Sequence, residues 1–184
     1  RAGMDEYLAS RRIVDPFRLY DICLETDGAW AVVVTSAERA RDLKQRPVYS
    51  TGGAYGGGPQ QGDDLFDCIR WPDHARNYSH YIADDLWRSA DLRPEDVDVA
   101  QLPDTAARAE VIHLAETGLR ADGQQAKPLA DGAPDTHGSI PVNTHRRLIA
   151  NAQPPVASGP PPLHELVRQP PSEAARLQLL GHPL

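Results

Sequence analysis

The sequence predicts an α/β fold. A strand–helix–strand succession lies between residues 29 and 51, and a second strand–helix succession between residues 97 and 117. Both alternate short apolar runs with helical periods, which is the pattern of helices packed on a sheet. The chain has 184 residues with 40% apolar content, enough for one domain of ordinary size and a core of modest volume.

Taken in order, Met4 to Arg12 suits a short helix that stops before Pro16. Ala29-Trp-Ala-Val-Val-Val34 follows the turn Thr26-Asp-Gly28, and its small and β-branched residues without alternation predict a buried strand. Thr35-Ser-Ala-Glu38 has the pattern of a capping box, and the predicted helix carries Arg39, Arg41 and Lys44 toward its C-terminal end. Pro47 to Thr51 reads as the second strand. The glycine-rich run Gly52 to Pro59 matches neither dinucleotide nor phosphate-loop spacing, so a flexible or close-packed loop is expected there.

His74 to Ala90 predicts a long helix capped by Asp73, with Tyr78, Tyr81, Ile82 and Leu86 on one stripe. After the turn Leu92 to Asp96, Val97 to Leu102 reads as a strand and Thr105 to Thr117 as a helix closed by Gly118. Arg120 to Gly138 is polar and turn-rich, a surface excursion. Ile140-Pro-Val142 is a short strand leading to Asn143, Thr144 and His145. Beyond Asn151 the chain is proline-rich, with helical pieces expected at Leu163–Gln169 and Ser172–Leu180.

A net charge of -7 argues against nucleic acid or an anionic membrane as the main partner, since both need a basic face. No run approaches the roughly 18 apolar residues that a membrane helix needs. With no charged-then-apolar leader, a cytoplasmic protein is expected. Cys23 and Cys68 have no metal-like spacing and read as reduced thiols, and His74 and His80 do not share a helix face, so no metal is expected. The first residue is Arg, and Pro16 to Gly28 reads like the interior of a domain, so a longer parent protein is expected.

Four segments carry a family likeness: DICLETDGAWAVVVTSAERARDL (Asp21–Leu43), WPDHARNYSHYIADDLW (Trp71–Trp87), RPEDVDVAQL (Arg93–Leu102) and GSIPVNTH (Gly138–His145). Together they resemble the thiolase superfamily, in particular the lipid-transfer or sterol-carrier branch, which is related to the aldolases of steroid side-chain degradation. The resemblance runs over residues 4 to 169 and corresponds to the second half of such a protein. It implies an end of the N-terminal domain at 1–52, a C-terminal domain at 53–169 and a tail at 170–184. It also implies an α/β fold whose mixed sheet has helices on both faces, part of a five-layered α/β/α/β/α architecture, usually dimeric, that handles coenzyme A thioesters. The aldolase-like relatives work without a cysteine nucleophile and with a small accessory subunit.

Carried over residue by residue, the resemblance points to Asp104 and His145 as proton-transfer groups and to Asn143 as a substrate contact, while Arg146, Arg147 and Gln153, which depart from the family pattern, are candidate substrate contacts by their own charge and hydrogen-bonding capacity. The departures are specific. The region bearing the thiolase nucleophile is absent, and Pro103 replaces a polar or aromatic residue beside Asp104. Arg146 and Arg147 stand where glycines usually follow NTH, adding bulk, charge and, at positive φ, strain. Ala152-Gln153 replaces a Gly-His pair, and Gln cannot shuttle a proton near neutral pH. The terminal Gly181-His-Pro183 lies too late in the chain to serve, and His113 reads as a half-buried helix residue.

The expected function is therefore a thiolase-like C-terminal region, inactive alone, acting as a scaffold or partner subunit in a homodimer or with another thiolase-like chain. One alternative is an acyl-CoA acyltransferase or retro-aldolase active only with a partner. Another is an acyl-CoA or lipid-binding module in which Arg146 and Arg147 pair with coenzyme A phosphates. No cofactor is expected beyond such a coenzyme A thioester as ligand.

Overall fold

The computed structural model describes residues 3–44, 47–60, 71–74, 76–120, 140–144, 149, 163–165, 167 and 177–180. In chain order these give α1 (Met4–Ala9), β1 (Arg12–Val14), β2 (Phe17–Arg18), a 3-10 turn (Leu19–Asp21), α2 (Ala37–Ala40) and β3 (Ser50–Ala54). Then come α3 (Tyr78–Ala90), a 3-10 turn (Pro94–Asp96), α4 (Ala107–Glu116) and β4 (Leu177–Leu180). β1 and β2 pair antiparallel, whereas β3 and β4 pair parallel, so both strand senses occur.

Helix α3 organises the core. Asn77 has extended backbone, and its side chain accepts the Tyr78 N–H at 2.7 Å, satisfying one of the donors that a helix start leaves open. Tyr78, Ile82 and Leu86 recur at helical spacing and are buried, while Asp84, Asp85 and Arg88 face solvent. Burying an Ile or Leu of this kind stabilises by about 1.5–3 kcal/mol, so this stripe anchors the helix. Trp71 closes over Tyr78 and Ile82, with Tyr81 edge-on to its ring at 5.0 Å. The helix ends at Asp91, which takes the left-handed conformation (φ 53).

The glycine-rich run begins as strand. A Cβ on Gly52 would stand 2.5 Å from the backbone of Ala90, so the absent side chain is what lets β3 lie against the end of α3. Ser89 fastens the same contact, its hydroxyl accepting the Gly53 N–H at 3.0 Å. The close-packed reading also holds at Gly58, where a Cβ would meet the Trp71 ring at 2.5 Å.

Helix α4 matches expectation closely, with Gly118 in the left-handed region (φ +73) just past its end. Four other expectations need correction. Ala29–Val34 is neither paired nor buried among the described residues: Val33 is 91% and Val34 88% exposed. The apolar run has the composition for a sheet interior, but no described strand lies beside it. The cap after it is Ser36 rather than Thr35, accepting the Arg39 N–H at 3.3 Å, and α2 is a single turn. α3 starts at Asn77 rather than Asp73, because Glu116 of α4 holds the Asn77 N–H at 2.7 Å. Residues 177–180, expected as helix, form β4, since pairing with β3 satisfies their backbone instead.

Val97–Leu102 and Ile140–Val142 are shorter than expected as strands and meet in one parallel bridge, Ala100 to Val142. Cys68, most of the polar excursion before Gly138, the proline runs and Gly181-His-Pro183 lie outside the described residues. Among the described residues no helix is long and apolar enough to cross a membrane.

Candidate functional site

The site forms where the segment after Val97 crosses the segment ending at Thr144. Ala100 donates its N–H to Pro141 at 2.9 Å and accepts the Asn143 N–H at 3.0 Å. Beneath this bridge Ala100, Leu102, Leu114 and Val142 make one buried cluster, with Ile140 and Leu119 at its margin. Apolar burial thus fixes the crossing, and the polar residues on it inherit a rigid base.

Asn143 sits at the crossing with left-handed backbone (φ 52) and is 2% exposed. Asn adopts this region more readily than other side-chain-bearing residues. Its Oδ1 accepts the Leu102 N–H at 2.8 Å, and its Nδ2 donates to Glu110 Oε2 at 3.1 Å. Next to it, Gln101 Nε2 donates to the Thr144 hydroxyl at 2.6 Å, a second tie between the two segments.

Two residues beyond Leu102 stands Asp104, fully buried. Cys23 is its neighbour, placed by the bond from Cys23 N–H to the Thr105 carbonyl at 3.0 Å and by the bridge of Ile22 to Ala106. Burial pushes the Cys23 thiol up from its ordinary value, the negative charge of Asp104 pushes it further and Glu25 adds a little, while a backbone hydrogen bond acts in the opposite direction. A half-buried thiol held neutral is a poor nucleophile. Asp104 follows the bridged segment as a carboxylate with no exposed surface.

Of the residues singled out from the sequence, Asn143 lies on this crossing and Asp104 follows two residues after its Leu102. His145, Arg146, Arg147 and Gln153 lie outside the described residues. The sequence reading did not single out Glu110 or Gln101. Glu110 looks like one more acidic residue in a helix, and only its burial, at 4% exposure, sets it apart.

A second polar cluster joins α3 to α4. The Ser79 hydroxyl donates to Glu116 Oε2 at 2.5 Å and lies 2.8 Å from His113 Nδ1. The hydroxyl proton already goes to Glu116, so Nδ1 must supply the proton of the other bond. That order leaves His113 as a donor to the serine rather than its base, with the carboxylate of Glu116 as the acceptor. With Ser79 at 0% and His113 at 1% exposure the cluster is a buried brace between helices, and His113 is more deeply buried than expected. Among the described residues no group of three or more His, Cys, Asp or Glu could hold a metal ion.

Residues 69–182, more than half of the chain, match the family described as Thiolase C-terminal domain-like. This chain belongs to that family. It is 40% identical over 149 residues to the 17-hydroxy-3-oxo-4-pregnene-20-carboxyl-CoA lyase of Mycobacterium tuberculosis, covering 81% of this chain and 38% of the relative. It is 33% identical over 149 residues to the steroid side-chain-cleaving aldolase of Thermomonospora curvata, with the same two coverages, 81% and 38%. Among solved structures, an Ltp2-ChsH2(DUF35) aldolase superposes with a TM-score of 0.77 at 30% identity, covering 91% of this chain and 43% of that one. The likeness first seen in four segments is thereby established, as is the thiolase-like α/β fold. The chain spans well under half the length of these relatives.

Proposed function

We propose that this chain is the C-terminal half of a thiolase-like acyl-CoA aldolase, without turnover on its own and completed by a thiolase-like N-terminal half. The observation that carries the proposal is the run Ala29–Val34. It has the composition of a central strand, yet Trp30 is 48%, Val33 91% and Val34 88% exposed. A run of this kind in water favours association with a matching sheet. The 40% identity to a carboxyl-CoA lyase supports the reaction class over acyl transfer.

In this reading the substrate is a β-hydroxyacyl-CoA. A base takes the hydroxyl proton, the carbon–carbon bond breaks to give a ketone, and its electrons pass to the thioester as an enolate. Protonation at the α-carbon then releases the shortened acyl-CoA. Asp104 and His145 divide the two proton transfers, Arg146 and Arg147 pair with coenzyme A phosphates, Gln153 donates to the thioester end, and Asn143 shapes the turn that carries them. A homodimer and a small accessory subunit belong to the same proposal. The superposed aldolase, which pairs Ltp2 with ChsH2(DUF35) in its name, supports a partner subunit.

The test is product release from 17-hydroxy-3-oxo-4-pregnene-20-carboxyl-CoA. The chain is assayed alone and mixed with the part of the Mycobacterium tuberculosis lyase that precedes the matched region. No product from the chain alone, product from the mixture and its loss in Asp104→Asn are expected. Turnover by the chain alone contradicts the proposal. Binding without turnover in the mixture favours the acyl-CoA-binding alternative.

A further inference from the structure

We infer that Glu110 is a positioning residue, which through the side chain of Asn143 fixes the segment that leads to Asp104 against the segment that ends at Thr144. This deepens the proposed function and rests on it for its catalytic consequence. The structural part stands on its own.

The Asn143 amide has only one workable orientation. The Leu102 N–H can only donate, so the atom facing it at 2.8 Å must be the amide oxygen. That choice turns the amide nitrogen the other way, where it needs an acceptor. Glu110 Oε2 supplies it at 3.1 Å from helix α4. Without that acceptor the amide has no reason to keep its oxygen toward Leu102, and the buried NH2 is left unsatisfied. The left-handed backbone of Asn143 (φ 52) then loses one of the contacts that over-determine it.

Glu110 also stands out on its own helix. Glu110, His113, Leu114 and Thr117 fall at helical spacing and are all buried, Glu110 at 4% exposure. An apolar residue would fill that place without the cost of desolvating a carboxylate. What an apolar residue cannot do is accept the Asn143 N–H. The consequence reaches two ways along the chain. Leu102 is two residues before Asp104, and Asn143 two residues before His145. One carboxylate therefore ties the approach to Asp104 to the segment that precedes His145 in sequence.

The experiment measures hydrogen exchange at the Leu102 amide in Glu110→Ala and Glu110→Gln, together with kcat and KM in the completed mixture. Gln keeps an acceptor for Asn143 Nδ2. Glu110→Ala is expected to speed Leu102 exchange at least about tenfold with Ile82 and Leu86 unchanged, and Glu110→Gln to stay within about threefold. In the mixture, kcat is expected to fall about tenfold in Glu110→Ala with KM within about twofold, and to recover in Glu110→Gln. Should Glu110→Ala fail to fold, the exchanged pair Asn143→Asp with Glu110→Gln decides. It preserves both hydrogen bonds and is expected to protect Leu102, whereas Asn143→Asp alone sets two carboxylates together and loses protection. Unchanged Leu102 exchange in Glu110→Ala, or no recovery in the Gln or exchanged-pair variants, overturns the inference. If the unaltered mixture shows no turnover, the proposed aldolase function falls while Leu102 exchange still decides the role of Glu110.

Discussion

The Ser79 hydroxyl lies 2.8 Å from His113 Nδ1 and donates to Glu116 Oε2, so one buried oxygen on α3 ties that helix to two residues of α4. Asn77 completes the brace by giving its N–H to Glu116 Oε1 at 2.7 Å while capping α3 with its side chain. Removing the shared hydroxyl deletes both of these contacts at once. Ser79→Ala is expected to cost about 1–3 kcal/mol in urea unfolding, more than an ordinary hydroxyl deletion. A change below about 0.5 kcal/mol would mean that the brace contributes little.

The approach of β3 to α3 depends on a missing side chain. Gly52→Ala puts a Cβ 2.5 Å from the Ala90 backbone, where neither element can yield cheaply. Overpacking of this kind is expected to lower stability by about 1–3 kcal/mol. Gly53→Ala, whose Cβ would meet nothing within 4 Å, is the control, expected within about 0.5 kcal/mol of the parent. Thermal unfolding of both variants checks the difference.

Cys23 reports on Asp104. Burial and then the Asp104 charge raise the thiol, so the folded state favours its neutral form. The associated stability is whole below the ordinary thiol range and is lost as pH rises through the raised value. Asp104→Asn removes the charge but not the burial, which moves the thiol part of the way back down. Alkylation of Cys23 at pH 8, followed by peptide mass spectrometry, is expected to be faster in Asp104→Asn than in the parent. An equal rate would separate Asp104 from Cys23 electrostatically.

The Ala29–Val34 run supplies a prediction in which stability and association part company. Val33 and Val34 contribute little to the described core, at 91% and 88% exposure. Val33→Asp is expected to leave unfolding of the chain alone within about 0.5 kcal/mol. In sedimentation with the N-terminal part of the lyase relative it is expected to abolish complex formation, because a charge in a sheet interior has no partner.

Parts of this fold were legible because local signals and tertiary packing agree. The stripe Tyr78, Ile82, Leu86 and the closing Gly118 follow from helical geometry alone. The start of α3 was not legible, since Glu116, far along the chain, selects Asn77 over Asp73. The burial of Ala29–Val34 failed as an expectation because an apolar run records what a segment suits, not what lies beside it. Asp104 and Asn143 were found through the family likeness, whereas Glu110 was not, as nothing local separates a buried acceptor from a solvated helix glutamate.

The most direct test of the central claim is hydrogen–deuterium exchange of the peptide spanning residues 29–34, with and without the N-terminal part of the lyase relative. The proposed completion of a thiolase fold predicts rapid exchange in the chain alone and strong protection in the mixture, because strand pairing occupies the N–H groups. Rapid exchange in both, or protection already present in the chain alone, would contradict it.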